Sequence, residues 1–364
     1  MKRTPIYLLV FCFLLPAGVH AQGTFSGQAF GDYYYNIQRD PSFGFLPNAG
    51  AESGGKTFQA FQFRRIYLTY DNTISEKFAS RFRLEADQGA KTIDGKISVL
   101  VKDAYLQWKG IFKGSDLFFG IHPTPAFGVS EDAWGYRALE KTIMDLRGVV
   151  SSRDLGVALK GKLDDAGTFN YWVMVGNNSG NRPETDKYKR YYLSFQVKPA
   201  EHVQFTVYGD YADRNDVTDP YSQTTPRQTV SNGTLTTGAF VGYDEPGRFS
   251  FGLEGFLRSE QHGFNDAAAS TLKALTAIGV SVFGSVSILS DVDLVGRYDY
   301  YDPNTDSKVK GDVRHFMLGG VAWKPDKNVS LIPNLQVEMY EKLPNGRTYD
   351  PSVTARLTFY YVFL

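Results

Sequence analysis

The chain has 364 residues, and its 39 Lys and Arg are matched by 39 Asp and Glu. A balanced charge gives no support for nucleic-acid binding, which wants a basic surface. A single cysteine and the lack of a long apolar run in the mature part exclude a disulfide scaffold and a helical membrane span, which needs roughly 20 residues.

Met1-Lys2-Arg3 is a short basic start, Leu8 to Leu15 an apolar run, and Val19-His20-Ala21 precedes Gln22. That order predicts a secretory signal peptide over residues 1–21, cleaved after Ala21. Cys12 leaves with it, and Phe11 before it is too large for a lipid-attachment site. Residues 22–364 are then expected to form one exported domain. An exported chain without membrane helices can still be integral to the outer membrane, because a closed barrel satisfies every backbone group internally.

From Phe25 onward the sequence alternates between apolar and polar residues in segments of about ten, the signature of transmembrane strands. Phe82, Leu84 and Ala86 alternate with Arg81, Arg83, Glu85 and Asp87, and Leu155, Val157 and Leu159 with Gly156, Ala158 and Lys160. Phe169 to Val175, Tyr191 to Val197 and Val203 to Val207 continue the pattern. Phe249 to Leu257 and Val292 to Tyr300 repeat it. Sixteen segments are expected, starting near residues 24, 58, 78, 98, 115, 153, 167, 190, 202, 235, 248, 272, 287, 313, 328 and 352. Lys102 and Ile288 break the alternation. Connections alternate between short and long, as in bacterial barrels with short periplasmic turns and long external loops. Tyr70, Phe78, Trp108, Phe169, Tyr243, Phe249 and Phe359 lie beside the short turns, like an interfacial aromatic girdle. The last segment places Val353, Ala355, Leu357, Phe359, Tyr361 and Phe363 on one apolar row, a closing strand that also resembles a signal to the barrel-assembly machinery.

Three ordered motifs carry a more specific likeness. Phe63-Arg64-Arg65-Ile66-Tyr67-Leu68 is followed by Phe82-Arg83-Leu84-Glu85-Ala86-Asp87 and Lys102-Asp103-Ala104-Tyr105-Leu106, and then by Phe119 to Gly128 and Ala138-Leu139-Glu140-Lys141. Over residues 58 to 150 this resembles the phosphate-selective porins O and P. The resemblance implies an all-β, transmembrane, antiparallel up-and-down barrel of about sixteen strands, with a loop folded inward after strand 5. It also implies a homotrimer in outer-membrane lipid and lipopolysaccharide. Phosphate selectivity does not follow from it.

A pore selects by width and by the charges at its narrowest part. Arg65, Arg81 and Arg83 fall on the expected wet face, as do Lys160 and Lys162. Two readings stand: a basic strip that attracts anions, or arginines paired with Glu85, Asp87 and Asp103 to brace the wall. The stretch from His122 to Ser152 is the expected constriction. Residues 131–144 are expected to form one short helix with Ser130 as N-cap. Glu131, Asp132, Arg137, Glu140 and Lys141 are its candidate pore-facing charges. An external flap over the rim is the other reading. Asp302 to Asp306 starts like a calcium loop but lacks the glycine and closing glutamate, so it is expected to be a solvated loop. No metal or cofactor site is expected. The function expected is a passive channel for small hydrophilic solutes in a Gram-negative outer membrane. A barrel enzyme and a filled structural or adhesive barrel are the alternatives.

Overall fold

The computed structural model describes residues 23–43 and 54–364, and the expected signal peptide lies outside them. The strands are β1 (Gly23–Gln38), β2 (Gln59–Thr73), β3 (Phe78–Lys91), β4 (Ile97–Phe112), β5 (Ser115–Pro123), β6 (Arg153–Lys162), β7 (Phe169–Gly176) and β8 (Arg190–Ala200). They continue as β9 (Val203–Thr218), β10 (Thr229–Glu245), β11 (Phe249–Asp266), β12 (Thr271–Leu289), β13 (Val292–Asp302), β14 (Arg314–Asp326), β15 (Val329–Tyr340) and β16 (Ser352–Val362). Each pairs antiparallel with its neighbours in sequence, and β1 closes the barrel on β16.

The alternation decides the two faces, because successive strand side chains point opposite ways. Phe82, Leu155, Leu193, Phe205, Leu253 and Leu294 stand exposed on the outside, while Glu85, Asp103, Asp154, Asp210, Glu254 and Asp299 are buried inside. Around the short-turn rim the outward aromatics pair across strands. Phe25 meets Tyr70 at 4.8 Å, Phe78 meets Trp108 at 5.5 Å and Tyr243 meets Phe249 at 5.0 Å between ring centroids. At the seam, Phe363 lies over Gly27, where an added Cβ would sit 2.3 Å from the ring. The glycine thus makes room for the C-terminal aromatic.

All but two of the expected strand starts fall within two residues of those observed. β10 begins at Thr229 rather than near 235, because a bulge between Val230 and Asn232 hides its first turn of alternation. The start expected near 287 is in fact the end of β12. Ile288 is the extra residue of a bulge between Ser287 and Leu289, and β13 starts at Val292. Lys102 is likewise the extra residue where Arg83 pairs Asp103 and Leu84 pairs Val101. A bulge opposes two residues to one, so the alternation slips at that point. Several strands also run past the expected rim, so the stretches 212–234 and 259–271 are mostly strand rather than loop.

Among the described residues, the long connection that turns inward leaves β5 at Pro123 and returns at Arg153. It carries α1 (Gly128–Trp134) and α2 (Ile143–Leu146) instead of one helix over 131–144. Gly135 ends α1 at φ 66, a left-handed conformation that glycine adopts without a Cβ penalty, and its N–H bonds Glu131 O. Phe127, not Ser130, occupies the N-cap. Ser130 sits inside the helix and donates to Phe127 O and to Glu254 Oε1, each at 3.0 Å. At the long-loop rim, Asp302, Asn304 and Asp306 each accept a backbone N–H two residues on, a run of Asx turns.

Candidate functional site

The inward segment is fixed to the wall by two apolar clusters. Phe127, Ile143, Met144, Val149 and Val150 pack against Met174, Tyr192, Tyr208 and Phe256. Trp134 and Leu139 pack against Phe240, Phe283, Val295, Phe316 and Ile332. Polar contacts complete the attachment. Tyr136 donates to Asp293 Oδ2 at 2.5 Å, Gln336 donates to Leu139 O at 3.2 Å, and Arg297 donates to the Lys141 carbonyl.

Arg64 explains why two arginines follow Phe63. β1 pairs Phe30 with Arg65 and Gly31 with Phe63, so Arg64 is a bulge residue and both arginines turn inward. Arg64 donates to the carbonyls of Ala138 (2.8 Å) and Leu139 (2.5 Å) and lies 3.3 Å from Glu140 Oε1. Glu140 was expected to face the pore; it is buried instead against this guanidinium. The sequence reading passed over Arg64 because strict alternation assigns it to the lipid face. The broken alternation was the available signal.

Burial alone would raise the Glu140 carboxyl, but Arg64, Arg356 and the Lys141 N–H outweigh it and hold its pKa at about 2. A depressed carboxyl contributes stability that is present above its unfolded value and lost as pH falls through the folded one. The anchor is therefore expected to be unchanged from neutrality to about pH 4.5 and to loosen from there toward pH 2. Glu131 titrates the other way. Burial raises its pKa against the opposing pull of Arg137. Its protonation leaves Arg137 with less negative charge beside it. Amide hydrogen exchange over residues 138–141 as a function of pH checks this: no loss of protection between about pH 4.5 and 2 would contradict the Glu140 assignment.

Opposite the segment, β2, β3, β4 and β6 carry a ladder of charge. Arg65 pairs with Asp87 and lies 3.5 Å from Glu85, which Lys102 also meets at 2.9 Å. Arg81 makes a two-pronged bond to Asp71 at 2.6 and 2.9 Å. Arg83 bonds Thr69 at 2.7 Å and lies 3.5 Å from Asp103, which Arg153 also grips. From the segment, Arg137 bridges Glu131 at 3.0 Å and Asp145 at 3.2 Å. Burial acts against the Arg137 charge, yet these two carboxylates prevail and raise its pKa. The ladder is thus mutually compensated, and Arg65, Arg81 and Arg83 each have an acidic partner. Lys141 is half-buried, its carbonyl taken by Arg297, and Asp132 is exposed to the lumen.

The long-loop side of the segment carries a charge group that the sequence reading missed. Arg147 and Arg314 share Glu338 at 2.9 and 3.5 Å, and Arg214 and Arg258 share Glu260 at 3.5 and 3.6 Å. Tyr301 lies between them, with the Arg147 guanidinium 5.1 Å from its ring centroid. The Arg147 side chain is 7% exposed, and its Nε and Nη2 have no hydrogen-bond acceptor among the described residues. These arginines come from four different stretches of chain, so no local motif marks them.

On the short-turn side α1 separates two cavities, both bordered by Asp132. One of about 520 Å³ lies beside Tyr136, Asp293 and Lys324. The other, of about 630 Å³, lies beside Phe118, Lys160, Lys162 and Lys198.

No family model and no curated protein matches the sequence. Solved structures do. The anion-selective porin from Comamonas acidovorans has a TM-score of 0.64 at 10% identity, covering 94% of this chain and 100% of that one. The outer membrane channel DcaP of Acinetobacter baumannii has a TM-score of 0.63 at 13% identity, covering 94% and 97%. OmpT, an outer membrane protein of Vibrio cholerae in its trimer form, has a TM-score of 0.58 at 12% identity, covering 94% and 99%. At these identities the likeness is one of fold, and the chain has the fold of the outer-membrane porins.

Proposed function

We propose that this chain is an outer-membrane porin of a Gram-negative bacterium, exported by a signal peptide over residues 1–21, with a barrel over 22–364 that passes small hydrophilic solutes by diffusion. The observation that carries the reading is a sixteen-stranded closed barrel, apolar outside and charged inside, whose lumen is narrowed by a fixed segment but keeps cavities of about 520 and 630 Å³. Small barrels are filled by side chains, whereas barrels of this strand number enclose water. Most of the lumen charges are braced in pairs, which suits a channel wall.

The reading includes a preference for anions. Four guanidiniums on the long-loop side share two glutamates, and a buried guanidinium with unpaired donors favours a passing anion. Phosphate is one anion such a group would attract, and the ordered motifs of residues 58–150 support a place beside the phosphate-selective porins O and P. A homotrimer, folded through recognition of β16 by the barrel-assembly machinery and seated in lipopolysaccharide, completes the proposal. Liposomes carrying the purified protein are expected to swell in small sugars and amino acids and to stay shut to long polymers. No swelling in any solute would sink the channel reading and return attention to an enzyme or a structural barrel.

A further inference from the structure

Almost every cation in the lumen has a carboxylate partner. Lys160, Lys162 and Lys198 do not: none has an ion pair among the described residues, although all three line the same 630 Å³ cavity on the short-turn side. Lys160 and Lys162 stand on β6 and Lys198 on β8, each on the inward row. Lys160 sits 4.4 Å from the ring centroid of Trp172, a cation–π distance that holds the ammonium at the cavity wall. Two acids border the cavity. Asp116 is already engaged by Gln107 Nε2 at 2.7 Å and Gly110 N at 2.8 Å, and Asp132 projects from α1. Three ammonium groups against two carboxylates leave a surplus of one positive charge.

The rest of the lining is amide. Gln196 donates to Gln204 at 3.0 Å and Asn170 donates to Gly167 O at 2.8 Å. Gln107, Asn170 and Gln196 therefore still offer carbonyl oxygens, and Gln204 still offers its NH₂. Such a wall gives donors and acceptors together, which is what hydroxyl groups need. Phe118 adds an apolar face, and the volume falls within the range of small-molecule sites.

We propose that this cavity is a transient binding station for hydroxylated monocarboxylates, the class of the sugar acids. The carboxylate meets the lysines while the hydroxyls meet the amides. The single surplus charge suits a monoanion better than a phosphate dianion. Lysine suits a station that must also let go, because its flexible ammonium is strongly hydrated and holds anions as a point charge rather than by a rigid fork. A channel needs sites that attract a solute without keeping it. This inference rests on the channel reading proposed above and names the solute class for its short-turn side.

The test is single-channel recording in KCl, with D-glucuronate, acetate, D-glucose or inorganic phosphate added from the short-turn side. KCl conductance by itself tells failure of the channel reading from failure of this one. In the wild-type protein glucuronate is expected to interrupt the current at lower concentration than acetate, glucose or phosphate. In a Lys160→Gln/Lys198→Gln variant the block is expected to weaken by about tenfold or more, as loss of two nearby charges implies. In Gln196→Leu the glucuronate block is expected to fall toward that of acetate. Equal block by acetate and glucuronate, a phosphate block that the lysine variant weakens more than the glucuronate block, or an unchanged glucuronate block in that variant would overturn the proposal. The wild-type comparison stands even if a variant fails to insert.

Discussion

Trp134→Ala is expected to loosen the inward segment by about 3–5 kcal/mol, the usual cost of truncating a fully buried aromatic. The ring is 1% exposed and packs edge-on against Phe283 at 5.3 Å. Its Nε1 donates to Glu140 O at 2.9 Å. The variant leaves a cavity between segment and wall and strands that carbonyl, so two costs combine. The sixteen strands do not depend on this contact, and the barrel is expected to insert and resist denaturation as before. Single-channel recordings are expected to show higher conductance and larger current fluctuations than the wild type. An unchanged, quiet conductance would mean that the segment does not form the narrow part of the path.

Replacing Arg147 and Arg258 together with glutamine is expected to move the permeability ratio toward cations by on the order of fivefold or more, given the strength of charge interactions in a medium between water and protein. These two positions are chosen for a structural reason. Glu338 keeps Arg314 and Glu260 keeps Arg214 when they are replaced, so neither half-buried carboxylate is orphaned and folding is spared. The same substitution at Arg83 would remove one of only two cations at Asp103 and tests bracing rather than selection. The reversal potential under a salt gradient reads the result. A double variant with unchanged reversal potential would remove the long-loop arginines from the account of selectivity.

How much of this was legible in the sequence depended on whether the information was local. Alternation is local, so the strands, their lipid face and the aromatic pairs such as Phe78 with Trp108 followed from it directly. Bulges erased it at Arg64, Lys102 and Ile288. The cost was small for Ile288, which only shifted the start of β13. It was larger for Arg64, whose inward turn makes the clamp on Glu140. The inward segment was expected from its length and from the resemblance. Its division into two short helices at Gly135 was not, because the stretch is rich in good helix formers and the anchoring of Trp134 and Ile143 in separate apolar clusters is a tertiary matter. Charge roles were least legible. Whether Arg65, Arg81 and Arg83 attract anions or brace the wall depends on Asp71, Glu85, Asp87 and Asp103 across neighbouring strands. The group of Arg147, Arg214, Arg258 and Arg314 exists only after closure of the barrel.

The most direct measurement is the conductance and reversal potential of the wild-type protein in a planar bilayer under a KCl gradient. Stepwise conductance with a reversal potential on the anion side is the predicted result. A correctly inserted barrel that gives no steps, or one that prefers cations, would contradict the account.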